Sequence, residues 1–177
     1  MLEAEQLDNS ILAAIGGVIA PIFAPLGWGN WKMAVAAVTG LIAKENVVAT
    51  FGVLFGFAEV AEDGAEIWGT LATTMTAVAA YSFLVFNLLC APCFAAMGAI
   101  KREMNNTKWF WFAIGYQCLF AYVVSLCVYQ IGMLVTGGGF GIFTVVAILL
   151  IVGMIYLLCR PYKESTTLTE NVKVTAK

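Results

Sequence analysis

The sequence contains no histidine, and this absence removes several classes of function. Histidine is the usual base of nucleophilic triads, a common metal ligand and the side chain that titrates nearest to neutral pH. No motif for a nucleophile, a base or a bound cofactor replaces it. The glycine-rich run at residues 136–141 lacks the Gly-Lys-Ser/Thr ending of a phosphate loop. An enzyme is therefore the least expected class.

Charged residues are scarce, at 11% of 177 residues, whereas hydrophobic residues make up 62%. A soluble globular domain carries about 25% charged and 45–50% apolar residues. One small core cannot bury this apolar excess, so lipid is the expected solvent. A formal net charge of -2 gives no basic surface for nucleic acid, which is excluded as a partner.

The apolar residues form stretches long enough to cross a bilayer, for which a helix needs about 20 residues. Four qualify, approximately residues 33–57, 67–100, 109–135 and 141–159. A fifth, residues 11–26, is short and interrupted by two prolines, which favours an interfacial or re-entrant helix over a full crossing. The predicted fold class is an all-α integral membrane protein with about four transmembrane helices plus this proline-broken N-terminal helix.

The connectors between these stretches predict the orientation. Lys101, Arg102 and Lys108 follow the second stretch, and Arg160 and Lys163 follow the last. The connector before the second stretch has only acidic charges. The positive-inside rule therefore predicts a cytoplasmic C-terminus. The tryptophans at the ends of the stretches are expected at the headgroup level; they are Trp28, Trp31, Trp68, Trp109 and Trp111.

The chain is predicted to have three parts. Residues 1–30 form the N-terminal interfacial or re-entrant segment, residues 31–163 the helical membrane domain, and residues 164–177 a polar, disordered cytoplasmic tail. The first ten residues are acidic, without the positive charge of a secretory signal. Such a start suggests a cut inside a longer protein.

Three polar residues, Lys44, Glu45 and Asn46, interrupt the first apolar stretch near its middle. An ionisable residue at the bilayer centre costs about 2.5–3.5 kcal/mol on insertion scales. Adjacent positions on a helix point about 100° apart, so Lys44 and Glu45 cannot simply pair with each other. The pattern indicates a coordination or gating site, a broken helix, or a structural ion pair between helices.

A second candidate lies at Cys90 and Cys93, on either side of Pro92. Proline removes the backbone hydrogen bond to Leu88, which frees a carbonyl oxygen beside two thiols. Thiol, carbonyl and carboxylate donors suit a borderline divalent metal better than Ca²⁺ or Mg²⁺. A kink without any ligand role is the alternative. A thioredoxin-like redox motif is not favoured, because no βαβ pattern surrounds it.

Other polar and small residues extend these patterns. On one continuous helix, Thr73, Thr76 and Asn87 would form a polar stripe that ends at Cys90. Gly52 and Gly56 form a small-xxx-small packing face. Cys118, Cys127 and Cys159 are expected to be small buried hydrophobes, since an odd total of five cysteines argues against a disulfide framework.

Several motifs resemble the C-terminal membrane region of the Feo-type ferrous-iron transport protein B family. The similarity is strong from about residue 11 to residue 100, and the last two spans match in layout. The matching motifs are residues 21–28 (PIFAPLGW), 39–48 (TGLIAKENVV), 50–52 (TFG), 92–95 (PCFA) and 100–103 (IKRE). The Lys-Glu element of the family falls on Lys44 and Glu45, and its Pro-Cys element on Pro92 and Cys93.

The resemblance implies a helical membrane portion of an Fe²⁺ importer in the bacterial cytoplasmic (inner) membrane. Fe²⁺ would be the transported ion, and no cofactor would be bound permanently. Glu45 and Cys93 would be metal ligands or gate elements, supported by Lys44, Asn46 and Cys90. Members of the family often have an aromatic residue at the position of Cys90, so a two-thiol site would be particular to this chain.

The resemblance also implies partners. These are the lipid bilayer and the remaining membrane and GTP-binding parts of a transporter, with further copies of the chain as another option. Any GTPase activity would belong to a cytoplasmic domain outside this chain, which would be a C-terminal fragment or a subunit of a split transporter. Two rival functions stay open: a gate for another substrate such as a nucleoside, and a structural membrane subunit that assembles through Gly52 and Gly56.

Overall fold

The protein is helical throughout the part that the computed structural model describes, which is residues 11–42, 44, 46–57 and 67–160. No strand occurs within these ranges. A short 3-10 turn, Ala24–Leu26, follows the first helix. The helices are α1 Ile11–Phe23, α2 Trp31–Ile42, α3 Asn46–Phe55, α4 Trp68–Thr74, α5 Ala77–Leu89, α6 Phe94–Met104, α7 Thr107–Val135 and α8 Ile142–Cys159.

Among the described residues, three segments are long and apolar enough to cross a membrane: α5 with α6 over Ala77–Met104, then α7, then α8. A fourth candidate is the pair formed by residues 11–26 and α2, which meet at 92° and make either a broken span or a re-entrant loop. The predicted all-α membrane fold is confirmed. Helix α1 continues through Pro21, and the chain leaves α-helical geometry only at the 3-10 turn that contains Pro25.

Two predicted spans are divided into shorter helices. In the stretch 33–57, the broken helix is the alternative that the structure shows, because α2 ends at Ile42, Lys44 lies in a turn and α3 begins at Asn46. The stretch from 67 to 100 contains α4, α5 and α6. Thr76 begins α5 by accepting a hydrogen bond from the Ala79 amide at 3.2 Å, which is an ordinary N-cap.

The centre of the fold is the contact between α5 and α7. The Ser125 hydroxyl donates to the Ser82 carbonyl oxygen at 2.7 Å, and the Ser82 hydroxyl donates to the Ser125 carbonyl oxygen at 3.1 Å. Gly132 lies against Val78 in the same contact and leaves no room for a larger side chain. Small residues and interhelical hydrogen bonds are the usual means by which membrane helices associate.

Trp28 is buried in this core, so its ring contacts protein and not lipid headgroups. It is 2% exposed, and its ring stacks on Phe23 with 4.4 Å between centroids. The indole N–H donates to the Ser82 hydroxyl at 3.4 Å, which explains how a polar group is accommodated there. By contrast, Trp109 and Trp111 at the start of α7 are exposed.

Gln130 of α7 joins three segments of the chain. Its Nε2 donates to the carbonyl oxygen of Pro25 in the 3-10 turn at 3.0 Å. Its Oε1 accepts from the hydroxyl of Thr144 in α8, also at 3.0 Å. Both side chains are buried, so this amide connects the N-terminal segment and the last helix to α7.

Replacing Gln130 with leucine should lower the stability of the folded chain. The Gln130→Leu change keeps the side-chain size but leaves the Pro25 carbonyl and the Thr144 hydroxyl without this partner. We expect a loss of about 1–2 kcal/mol in the free energy of unfolding. Thermal unfolding in detergent measures it.

The matched control is Gln117→Leu, on the same helix. Gln117 is half-buried and makes no hydrogen bond through its amide group within the described residues. Its replacement should leave the unfolding temperature nearly unchanged. Equal shifts for the two variants would contradict the role assigned to Gln130.

Candidate metal and gate site at two helix breaks

The break between α2 and α3 meets the break between α5 and α6. Lys44, in the turn between the first pair, is half-buried. Its ammonium Nζ donates to the carbonyl oxygen of Leu88 at 3.2 Å and lies 3.5 Å from that of Cys90. One positive charge therefore occupies the carbonyl oxygens of the second break.

Pro92 explains why these oxygens are available. In an unbroken helix, the Leu88 carbonyl would accept a hydrogen bond from the backbone N–H of residue 92, which proline lacks. Helix α5 ends at Leu89, Cys90 is extended (φ -62°, ψ 167°), and Cys93 is extended again before α6 begins at Phe94. The predicted break with a freed Leu88 carbonyl is confirmed.

The two thiols beside Pro92 have different surroundings. Cys90 is 4% exposed, and its Sγ lies 3.7 Å from Sγ of Cys118 on α7. Cys93 is half-buried at the N-cap of α6, where its side chain makes no capping bond. Cys90 thus has a thiol partner outside the Cys-x-x-Cys motif.

Sequence reasoning missed Cys118, although a signal for it exists. Cys118 and Ser125 are seven residues apart, which is two helical turns and therefore the same face of α7. Ser125 contacts α5 through its hydroxyl. A thiol two turns earlier on that face meets the end of α5, where Cys90 lies.

The expected burial of Cys127 is confirmed, whereas Cys159 is exposed and that prediction is wrong.

Asn87 lies where α2 approaches α5, close to both breaks. Its amide Nδ2 donates to the Phe83 carbonyl oxygen at 2.9 Å within α5. A Cβ atom at Gly40 of α2 would come within 2.7 Å of the Asn87 Oδ1. Glycine at position 40 therefore permits the close approach that brings the two breaks together.

The remaining predicted site residues are distributed along the chain. Asn46 begins α3 and is exposed, and Glu45 lies outside the described residues. Thr73 belongs to α4, where its hydroxyl donates to the Thr70 carbonyl at 2.8 Å. Thr76 lies at the opposite end of α5 from Cys90, about 20 Å away for a helix of 13 residues. Only Asn87 and Cys90 of the polar stripe lie near the break.

The donors around the break are two thiols and the carbonyl oxygens that Lys44 contacts. In the described ranges, no three Cys, Asp or Glu side chains come together as a metal-binding group. A complete coordination shell for a divalent ion would therefore include donors beyond these thiols and carbonyl oxygens. Glu45, which is next to Lys44 in the sequence, is the first candidate. Thiol and oxygen donors together suit a borderline ion that binds transiently.

The face predicted for assembly through Gly52 and Gly56 is not continuous. Gly52 is buried within the chain by its own neighbours in the fold. Gly56 has a positive φ of 80° and lies in the turn that ends α3. The two glycines therefore do not present one helical surface to a partner.

Comparisons with known proteins identify the family of this chain. A family model described as Gate: nucleoside recognition matches residues 3–107. The chain is 39% identical to the Fe(2+) transporter FeoB of Methanocaldococcus jannaschii over 130 residues, which is 73% of this chain and 18% of that protein. It is 35% identical over 140 residues to a fusion protein of Porphyromonas gingivalis named Fe(2+) transport protein A/Fe(2+) transporter FeoB, covering 73% of this chain and 16% of that protein.

A third relative, the Fe(2+) transporter FeoB of Staphylococcus aureus strain COL, is 30% identical over 129 residues, or 73% of this chain and 19% of that protein. The chain thus spans less than a fifth of the length of each of these relatives. No solved structure matches it. The Gate model covers more than half of the chain, and the motifs quoted above lie largely inside it. The resemblance to the membrane region of the ferrous-iron transport protein B is confirmed, and the chain belongs to the Gate family.

Proposed function

We propose that this chain forms part of the gate and translocation path of a ferrous-iron importer. The observation that carries the proposal is the Lys44 ammonium on the carbonyl oxygens of Leu88 and Cys90. A cationic group is already held there by backbone oxygens inside an apolar helical protein. Its relatives in three organisms are named as Fe(2+) transporters or a fusion that contains one.

The physical basis is the cost of an unpaired carbonyl in a membrane. Lipid supplies no hydrogen-bond donor, so irregular backbone is tolerated there only where protein or water satisfies it. The C-terminal end of α5 also carries the negative end of the helix dipole, which favours a cation. Broken helices of this kind form ion sites in many transporters. A passing Fe²⁺ would bind these oxygen donors in place of the Lys44 ammonium, which has to move away before the helix dipole can favour the ion.

Two residues would supply the stronger donors. Glu45 adjoins Lys44 in sequence, and Cys93 is the N-cap of α6 directly after the break. A carboxylate and a thiolate, together with carbonyl oxygens, form a set that Fe²⁺ accepts and Mg²⁺ or Ca²⁺ disfavours. Lys44, Asn46 and Cys90 would position this set.

The polar side chains of α4 and α5 would serve the rest of the path. Asn87 lies at the inner contact between α2 and α5, near the break. Thr73 and Thr76 would lie towards its far end, since Thr73 is in the last turn of α4 and Thr76 is the N-cap of α5. No metal need be held permanently in such a path, because the ion is the cargo.

We also propose the location and the partners. Lys101 and Arg102 lie in the last turn of α6 and Lys108 lies in the first turn of α7. By the positive-inside rule, this junction would face the cytoplasm across the bacterial inner membrane. Helices α7 and α8 then cross outward and back, so the C-terminus is cytoplasmic. The remaining membrane helices and the GTP-binding part would come from other regions of the transporter, and further copies of the chain would add an oligomer contact.

Loss of either strong donor should reduce iron uptake. We expect Cys93→Ser or Glu45→Gln to lower Fe²⁺ uptake by about tenfold or more, the scale on which metal sites respond to the loss of a supporting group. The measurement is uptake of radioactive Fe²⁺ by cells that lack their own importer and carry the full-length transporter. Membrane abundance is determined in parallel.

The controls are Cys159→Ser and Glu103→Gln, which make the same chemical changes at exposed positions outside the breaks. Both should retain normal uptake. Unimpaired uptake in Cys93→Ser and Glu45→Gln, at normal abundance, would remove both residues from the ion path.

The ammonium of Lys44 should matter in its own right. Hydrogen bonds to a charged group contribute about 1.5–3 kcal/mol, and about 1.4 kcal/mol corresponds to a tenfold change. We therefore expect Lys44→Met to lower Fe²⁺ uptake by about tenfold, because the two breaks lose the group that joins them. Lys108→Met, which removes an exposed lysine at the start of α7, is the matched control. Full activity of Lys44→Met would argue against a functional contact between the breaks.

A nucleoside gate is the second candidate, and the description of the matching family model favours it. In that case the polar side chains would bind a base or a ribose, and the thiols would be dispensable. Uptake of a labelled nucleoside by the same cells separates the two functions. The iron proposal would be replaced if the unmodified chain takes up nucleoside but no Fe²⁺. In that case, Cys93→Ser should still take up nucleoside.

A further inference from the structure

Two thiols from different helices meet beside the Pro92 break. Sγ of Cys90, just after α5, lies 3.7 Å from Sγ of Cys118 on α7, and neither cysteine is in a disulfide. The other cysteines of α7 and α8 have different surroundings: the Cys127 thiol donates to the Ala147 carbonyl oxygen at 3.7 Å, and Cys159 is exposed. The pair is therefore a distinct feature of this part of the fold.

The two sulfur atoms are in van der Waals contact at 3.7 Å. A disulfide requires about 2.05 Å between the sulfur atoms, so an approach of less than about 2 Å is enough. Cys90 lies outside the regular helix, in extended backbone, and a single backbone hydrogen bond ties its amide to Phe86 at 2.8 Å. The Cys90 side chain can therefore rotate towards α7 without disrupting a helical turn.

A cavity gives one of the thiols access to small molecules. It has a volume of about 400 Å³, lies between α6 and α7, and includes Cys118, Met97 and Lys101 in its lining. Cys118 is half-buried along this cavity, whereas Cys90 behind it is buried. A small oxidant that enters beside Lys101 would reach Cys118 first and would find Cys90 next to it.

We propose that Cys90 and Cys118 form a peroxide-sensitive disulfide site that links the α5–α6 break to α7. The Cys118 sulfur attacks one oxygen of hydrogen peroxide, the O–O bond breaks, and Cys118 becomes a sulfenic acid with release of water. The Cys90 sulfur then attacks the Cys118 sulfur, the S–O bond breaks, and a second water leaves. Two thiols are oxidised and one peroxide is reduced.

The link would act on the segment that holds the candidate ion site. Cys90 supplies one of the carbonyl oxygens that Lys44 contacts, and α7 is the helix on which the core is built. A covalent bond between Cys90 and α7 would restrain the break. This consequence rests on the proposed function, in which the break belongs to the iron path. Since Fe²⁺ and peroxide together generate hydroxyl radicals, an importer that stops under peroxide would limit that reaction.

The test uses the full chain in its native membrane. Membranes are treated with hydrogen peroxide, denatured, labelled with a maleimide and digested without reductant, and linked peptides are identified by mass spectrometry. We expect a peptide pair joining positions 90 and 118, the loss of both of these maleimide-reactive thiols, and recovery of both after dithiothreitol. Cys127→Ser, a matched control on α7, should form the same link, and Cys118→Ser should form none.

Three results would overturn the site: sulfenic acid trapped at Cys118 without any link, a link between Cys90 and Cys93 instead, or thiols that peroxide leaves unchanged. The peptide readout involves no iron, so it is independent of the proposed function. Iron uptake is then measured before and after peroxide. Loss of uptake in the unmodified protein but not in Cys118→Ser supports the restraint of the break. If the link forms and uptake is unchanged, the restraint of the break is contradicted, whereas the disulfide site itself is supported.

Discussion

The fold depends on how backbone carbonyl oxygens are satisfied where helices break in an apolar environment. Lipid offers no donor, so each break must be completed by the protein itself. Here Pro92 frees the Leu88 carbonyl, and Lys44 from another break supplies the donor. Each interruption would be costly alone, since a lysine and an unpaired carbonyl are both unfavourable in hydrocarbon. Together they compensate each other, and Gly40 permits the close approach of α2 to Asn87 on α5 beside this contact.

The rest of the core joins the helices that flank these two breaks. Reciprocal bonds between Ser82 and Ser125 join α5 to α7, and Gln130 joins α7 to the N-terminal segment and to α8. Trp28 completes the core with its indole N–H on Ser82. These bonds lie on the α7 side of α5, whereas Lys44 reaches the end of α5 from the turn between α2 and α3. The non-helical segment at residues 90–93 therefore lies between the hydrogen-bonded pair α5 and α7 and the single charged contact of Lys44.

Much of the fold could be predicted from length and hydropathy alone. Helices α7 and α8 agree closely with their apolar stretches, and the break at Pro92 follows from the chemistry of proline. The division of residues 33–57 was one of several alternatives in the sequence, because three consecutive polar residues contain no proline or glycine to end a helix. The burial of Trp28 was missed for a tertiary reason: it depends on Ser82, which is 54 residues away in the sequence. The partner of Cys90 was missed in the same way, since only the packing of α7 on α5 brings Cys118 to it. The metal roles of Glu45 and Cys93 stay predictions.

The central claim is that a cation passes the paired breaks with Cys93 among its ligands. X-ray absorption at the iron edge tests it most directly, on the whole purified transporter loaded with Fe²⁺ under anaerobic conditions. We predict a sulfur neighbour at about 2.3 Å from the iron, the usual distance for a first-row metal thiolate. This sulfur should disappear in Cys93→Ser while the oxygen neighbours remain. An iron shell of oxygen and nitrogen alone, identical in the two proteins, would contradict the claim.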